Sequence, residues 1–204
     1  MMKQERRPKI SAHRAARVYD EMLSVRRFLM SDGSFRKMPD VWEEFSADLE
    51  GYKLSTYRAI EGSKADNKAG VITLGGEGAT LITSQGLWER AKAGNLLANT
   101  IIAHEIAHLA LGHHLRSVKH FQPKTTDHGL KNIPENDIEL ETNYAAVFLQ
   151  CGVAILDPRI DATTLAKQAF ADVYQTKKAR LLVLQEAFQK ELKRLVQGRR
   201  RVTL

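Results

Sequence analysis

The amino-acid sequence predicts an α+β fold, in which a small antiparallel sheet of about three strands packs with helices on and around it. Apolar residues recur at three- and four-residue steps near both ends of the chain, which is the spacing of an amphipathic helix. Three short stretches between residues 52 and 83 are rich in Val, Ile, Thr and Tyr, as β-strands are. With 204 residues, of which 43% are hydrophobic, the chain is long enough to bury a core.

The first half of the chain is predicted to contain two helices followed by the sheet. The first helix covers residues 11–30 and is stopped by Asp32-Gly33-Ser34, and a shorter helix covers residues 41–49. Gly, Asp and Asn turns separate the strands, and a glycine-rich hairpin loop is expected at residues 75–78. The strands themselves are predicted at residues 52–60, 70–74 and 80–83.

The second half of the chain is predicted to be helical. One helix covers residues 96–113, and another covers residues 135–150 after an irregular loop. Residues 163–196 are expected to form two or three helical pieces with one shared apolar face, made of Leu181, Leu184, Phe188, Leu192 and Leu195. The predicted division is a basic N-terminal helical extension (1–37), a core (38–158) and a C-terminal helical segment packed on that core (159–204).

Charge and composition limit the class of protein. The net charge of +7 is concentrated at the two ends, so an anionic partner such as DNA would be attracted there, although basic helix faces are more often only solvated. A single cysteine cannot form an internal disulfide. The sequence shows neither a transmembrane run nor a signal peptide. These observations predict a cytoplasmic protein without a membrane partner.

The motif HEIAH at residues 104–108 is the segment most informative about chemistry. His104 and His108 are four residues apart, so both imidazoles project from one face of a helix and can share a metal ion. Glu105 lies about 100° around the helix, where it can reach water at the metal without being a ligand. The remaining positions from 101 to 111 are Ile, Leu or Ala, which predicts a buried helix and the geometry of a zinc hydrolase.

A catalytic zinc site needs a third protein ligand and an open position. Glu139 follows His108 by 31 residues on the next predicted helix, and Asn143 shares its face. We favour Glu139 as the ligand over Glu141, which points roughly 200° away and is expected to be solvated. Asn143 is expected to support a ligand histidine. Two histidines and a carboxylate suit Zn²⁺ best, but the same ligands can also bind Mn²⁺ or iron.

The segments HEIAHLALGHH and ELETNYAAVFL together resemble the ImmA/IrrE-type metallopeptidase domain, whose second motif has the form E-x-x-A-N-x-x-A-x-x-L. The resemblance covers residues 70–149 and implies that His104, His108 and Glu139 are zinc ligands and that Glu105 is the catalytic base. Thr142 stands where the family usually has Ala. The HtpX-type peptidases share HE-x-x-H, but they commonly carry membrane spans and a longer gap between motifs.

The resemblance implies a zinc-dependent metalloprotease, an endopeptidase that cleaves a cognate helix-turn-helix repressor and so regulates mobile-element, toxin-antitoxin or stress genes. The alternative is a metal-binding regulator without proteolysis that contacts DNA or a repressor through its basic helices. Residues 164–181 vaguely suggest a helix-turn-helix with a basic second helix. A thiol enzyme using Cys151 is disfavoured, because Cys151 ends an apolar helix.

Two further parts of a peptidase site are only partly specified. The oxyanion needs a donor besides the metal, and the candidates are His113, His114, His120, His128 and Tyr144. The strand at residues 79–84 is expected to offer a free edge that pairs with an extended substrate.

Overall fold

A computed structural model of the protein describes residues 10–30, 34–48, 55–60, 69–73, 79–113 and 137–202. The helices are α1 (Ala12–Leu29), α2 (Met38–Asp48), α3 (Gln85–Lys92), α4 (Leu96–Ala110), α5 (Asp137–Cys151), α6 (Ala162–Gln168), α7 (Val173–Val183) and α8 (Glu186–Val202). A 3₁₀ helix (Gly152–Leu156) follows α5 directly. The strands are β1 (Ser55–Ile60), β2 (Ala69–Thr73) and β3 (Ala79–Ser84).

The predicted α+β class with an antiparallel sheet is wrong. The described residues are mostly helical, and their short strands are arranged differently from the prediction. The strand order is β1-β3-β2, with β3 antiparallel to β2 but parallel to β1. Residue patterns that favour strands carry no information about strand order or direction, and a parallel pair depends on a crossover connection that the strand sequences do not reveal.

The hypothesis that residues 79–84 form a free edge for the substrate is also wrong. β3 is the central strand, and its residues pair with β1 on one side and with β2 on the other. Its backbone N–H and C=O groups are therefore used within the sheet and cannot hold an extended peptide.

The helix boundaries follow from local capping signals. The Asn95 side chain accepts a hydrogen bond from the Ala98 amide at 2.9 Å and begins α4. The predicted extension of this helix to residue 113 is too long, because α4 ends at Ala110 and Gly112 adopts a φ of +66°. Helix α3 was not predicted; it begins where Ser84 accepts a hydrogen bond from the Leu87 amide. The predicted hairpin at 75–78 and the loop at 114–134 lie outside the described residues.

One cluster of buried apolar side chains joins the helices. It contains Tyr19 and Met22 of α1, Trp42 of α2, Phe148 of α5 and Phe188 of α8. Helix α1 lies against both α5 and α8. Side chains from all three predicted segments thus share one core. The predicted boundaries between these segments, after residues 37 and 158, are not tested by this packing. No helix in the described ranges is both long and apolar enough to cross a membrane.

The shared apolar face predicted for the C-terminal helices is only partly formed. Leu181 and Leu184 are 71% and 53% exposed, whereas Phe188 is fully buried. The reason is that α7 ends at Val183 and α8 begins at Glu186, so the helical periodicity does not continue across the break.

The C-terminal end of α5 is fixed by a buried arginine. Arg26 of α1 donates from Nη1 to the carbonyl oxygens of Leu149 and Gln150, at 2.6 and 3.0 Å, and so satisfies carbonyls that have no partner within the helix. Gly152 follows with a φ of +55°, and a Cβ at this position would lie 2.5 Å from Nε of Arg26. Only glycine fits here without displacing the arginine.

Gly152→Ala is therefore expected to lower the free energy of unfolding by about 2–4 kcal/mol, because it combines left-handed strain with weakened hydrogen bonds of a buried guanidinium. Urea denaturation of the variant beside wild type measures this. Gly198→Ala is the matched control, since a Cβ at Gly198 meets nothing within 4 Å, and we expect it to be neutral or to stabilise by up to about 1 kcal/mol. Equal stability of Gly152→Ala and wild type would contradict this account of the α5 terminus.

Candidate metal centre

The residues of the HEIAH motif meet Glu139 where α4 lies beside α5. His104 and His108 are separated by one turn of α4 and project from the same face, with their Nε2 atoms 3.0 Å apart. Glu139 in the first turn of α5 places one carboxylate oxygen 3.2 Å from His104 Nε2 and the other 3.6 Å from His108 Nε2. Two imidazole nitrogens and one carboxylate group thus face one another in a largely buried position.

The spacing of these atoms fits a zinc ion. Tetrahedral zinc with bonds of about 2.0–2.1 Å to nitrogen and oxygen places its ligand atoms about 3.3–3.4 Å apart. The two Nε2 atoms are 3.0 Å apart, Glu139 Oε2 lies 3.2 Å from His104 Nε2, and the other oxygen, Oε1, lies 3.6 Å from His108 Nε2, so each contact is close to that value. Two imidazoles and one carboxylate also form a donor set that is typical of catalytic zinc, which leaves the fourth position open. These residues are therefore able to hold Zn²⁺.

The protonation states also suit a cation. Burial lowers the pKa of His108 to about 4, so this imidazole is neutral near pH 7 and has a lone pair for a metal. Burial raises the pKa of Glu139, but the adjacent imidazoles of His104 and His108 outweigh this effect and bring the pKa well below its usual range. Glu139 is thus a carboxylate, and its place in the first turn of α5 is favourable for a negative charge.

Glu105 lies on a different face of α4 from the two histidines. The predicted burial of this helix is confirmed for its central residues, among them Ile102, Ala103, Ile106 and Ala107. Glu105 is partly exposed between these buried neighbours. A carboxylate that follows His104 in sequence and is reached by solvent is able to exchange protons with water.

Two predictions about the second motif differ from the structure. Glu141 is not solvated: its side chain is only 13% exposed and is paired with Arg14 and His113. Burial raises the pKa of Glu141, but hydrogen bonds from His113 and Arg14 lower it to about 2. Asn143 is buried, and among the described residues its amide atoms have no hydrogen-bond partner, so the predicted contact with a ligand histidine is not formed.

A second layer of polar side chains behind His108 was missed by the sequence reasoning. His108 Nδ1 lies 3.0 Å from His113 Nδ1, and Thr142 Oγ1 lies 3.4 Å from the same His108 atom. His113 in turn contacts Glu141, which is bound by Arg14 of α1. The sequence signal was a further histidine, His113, five residues after His108, but nothing in the sequence links it to Arg14.

The candidate oxyanion donors are placed as follows. His113 lies on the Nδ1 side of His108, away from the Nε2 atoms that face Glu139, which does not suit an oxyanion donor. The ring of Tyr144 stacks on Phe148, with centroids 6.3 Å apart. His114, His120 and His128 lie outside the described residues.

The basic residues that were expected to attract DNA are partly used inside the protein. Arg180 is 8% exposed and donates hydrogen bonds to four backbone carbonyls, including those of Ile155 and Ile160. Arg180 is therefore not available to contact DNA, which weakens the helix-turn-helix interpretation of residues 164–181, although Lys177 is exposed on α7. In α1, Arg26 is likewise buried. Binding to the phosphate backbone of DNA requires cationic side chains that are accessible to it.

Cys151 is not a suitable nucleophile. The side chain is buried at the end of α5, and burial raises the pKa of its thiol to about 12. Nucleophilic cysteines need a low pKa and access to solvent.

Comparisons with protein-family models, with curated proteins and with solved structures found no match to this chain. The function of the protein is therefore inferred from the cluster of His104, His108 and Glu139 and from the residues around it.

Proposed function

We propose that this protein is a zinc metallopeptidase of the ImmA/IrrE type that hydrolyses a peptide bond in a helix-turn-helix repressor. The observation that carries the proposal is the convergence of His104, His108 and Glu139, whose imidazole nitrogens and carboxylate oxygens lie at 3.0, 3.2 and 3.6 Å from one another, close to the spacing of ligands around zinc. The partly exposed Glu105, which follows His104 in the chain, supports a hydrolytic reaction.

The chemistry divides between the cluster and Glu105. Zn²⁺ held by the three ligands supplies Lewis-acid chemistry, which polarises a carbonyl group and makes water more acidic. The Glu105 carboxylate takes a proton from the water that attacks the peptide carbonyl, and it then gives that proton to the nitrogen of the leaving amine. The water oxygen forms a bond to the carbonyl carbon, the C–N bond breaks, and Glu105 returns to its ionised form.

Two observations bear on the substrate. The resemblance of HEIAHLALGHH and ELETNYAAVFL to the ImmA/IrrE-type domain supports a cognate repressor. An apolar cavity of about 370 Å³ lies between α1 and α4 and is lined by residues that include Val25, Phe28, Ile106 and Leu109. Leu109 is one turn from Glu105 on the same face of α4. A cavity of this character suits a large apolar side chain of a peptide substrate.

An unbiased cleavage assay tests the proposal and requires no identified substrate. The zinc-loaded full chain is incubated with an extract of the source organism, and new protein amino termini are labelled and identified by mass spectrometry. We expect new termini in very few proteins, with a helix-turn-helix repressor among them, and none when the protein is first stripped of metal. A zinc-loaded protein that produces no new terminus would contradict the peptidase function.

A further inference from the structure

A chain of hydrogen-bonded side chains runs from the N-terminal helix to the proposed zinc ligand His108. Arg14 on α1 contacts both carboxylate oxygens of Glu141 on α5, with Nε at 2.7 Å from Oε2. His113 Nε2 lies 3.4 Å from Glu141 Oε1, and His113 Nδ1 lies 3.0 Å from His108 Nδ1. We propose that Arg14, Glu141 and His113 act as positioning residues that fix the tautomer and the orientation of His108 for metal binding.

The direction of each hydrogen bond follows from the chemistry of its partners. An ionised carboxylate only accepts hydrogen bonds, so Nε2 of His113 carries the hydrogen that points to Glu141. In a neutral His113 ring, Nδ1 then has a lone pair, and it accepts a hydrogen bond from Nδ1 of His108. This leaves the lone pair of His108 on Nε2, the atom that faces His104 and Glu139.

Thr142 supports the same direction. Its hydroxyl donates to the backbone carbonyl of Ile138 at 2.8 Å, so the Thr142 oxygen can only accept from the histidines. That oxygen lies 3.4 Å from His108 Nδ1. A hydrogen on His108 Nδ1 thus has two acceptors within reach, His113 Nδ1 and the Thr142 oxygen, which also lies 3.2 Å from His113 Nδ1.

The arrangement also indicates that Glu141 orients His113, which in turn contacts His108. A ligand histidine usually donates its second N–H directly to a carboxylate or a carbonyl, but here the His113 ring stands between His108 and the carboxylate of Glu141. The bidentate contact with Arg14 holds Glu141 in place and neutralises its charge. This contact links the position of α1 to the metal centre formed by α4 and α5.

The inference rests on the proposed metal centre, and the zinc affinity of the full chain tests it. Zinc affinity is measured by competition with a chromophoric chelator, and the absorption spectrum of the Co²⁺-substituted protein reports the ligand field. We expect His113→Phe to lower zinc affinity by about 10–100-fold and to change the Co²⁺ spectrum. His113→Gln should recover most of the affinity, because an amide can accept from His108 and donate to Glu141.

The controls separate positioning from folding. Arg14→Met removes the outer end of the chain and should weaken zinc binding less than His113→Phe does. Arg17→Met is the matched control, since Arg17 lies on the same helix but faces Glu191 at 4.0 Å, and we expect it to bind zinc as wild type does. If His113→Phe does not fold, the zinc affinity of Arg14→Met tests the proposal instead. The Arg14 side chain is 35% exposed, so we expect this variant to fold.

The outcomes are distinguishable. Wild type that binds no zinc would overturn the metal centre itself. Wild type that binds zinc, with unchanged affinity and Co²⁺ spectrum in folded His113→Phe and Arg14→Met, would overturn the positioning chain and leave the metal centre intact. Loss of affinity without recovery in folded His113→Gln would also count against it, since bulk rather than hydrogen bonding would then be the cause.

Discussion

Glu105→Gln is expected to reduce the rate of zinc-dependent peptide cleavage by about 10²–10⁴-fold, the usual contribution of a positioned general acid–base group. Glutamine keeps the size of the side chain but cannot take a proton from water. Zinc content should stay unchanged, because Glu105 is not part of the cluster formed by His104, His108 and Glu139. The rate is measured on the repressor identified by its new amino terminus.

The matched control for this variant is Glu186→Gln. Glu186 is exposed in the first turn of α8 and is not part of the cluster, so the same change of side chain there should leave cleavage at the wild-type rate. Cleavage by Glu105→Gln within a factor of about two of wild type, far below the loss expected for a general base, would remove Glu105 from the mechanism.

Removal of the metal is expected to lower the melting temperature by roughly 8–16 °C. A ligand that binds only the folded state at 1,000 times its Kd stabilises that state by about 4 kcal/mol, and for a chain of this size each kcal/mol corresponds to about 2–4 °C. The effect should be large because the ligands come from two different helices, α4 and α5. Differential scanning calorimetry of the chelator-treated protein, before and after zinc is added back, measures it.

His108→Ala provides the comparison for this experiment. With one of the three candidate ligands removed, the added zinc should no longer raise the melting temperature. An equal increase in wild type and in His108→Ala would mean that the stabilising zinc binds elsewhere in the protein.

The two candidate histidine ligands could be predicted from the sequence because their pairing depends on helical periodicity alone. His104 and His108 are four residues apart, and any α-helix places such a pair on one face. Glu139 could be chosen because a zinc site needs a third ligand and because Glu139, on the next predicted helix, shares a face with Asn143. The packing of α4 beside α5 then brings these side chains together.

The surroundings of the ligands could not be predicted in the same way. The contact of Arg14 with Glu141 joins residues 127 positions apart, and it depends on how α1 packs against α5. Strand order is equally non-local, which is why β3 was expected at an edge and is in fact central. Glu141 was expected to be solvated because it points away from Glu139. The angle around a helix, however, does not show which other helix covers that face.

The most direct test of the account is the zinc content of the purified protein, measured by elemental mass spectrometry on wild type and Glu139→Ala prepared side by side. We expect about one zinc ion per wild-type chain and a large loss in Glu139→Ala, with the fold retained by circular dichroism. No zinc in wild type even after reconstitution, or equal zinc in both proteins, would contradict a metal centre formed by His104, His108 and Glu139.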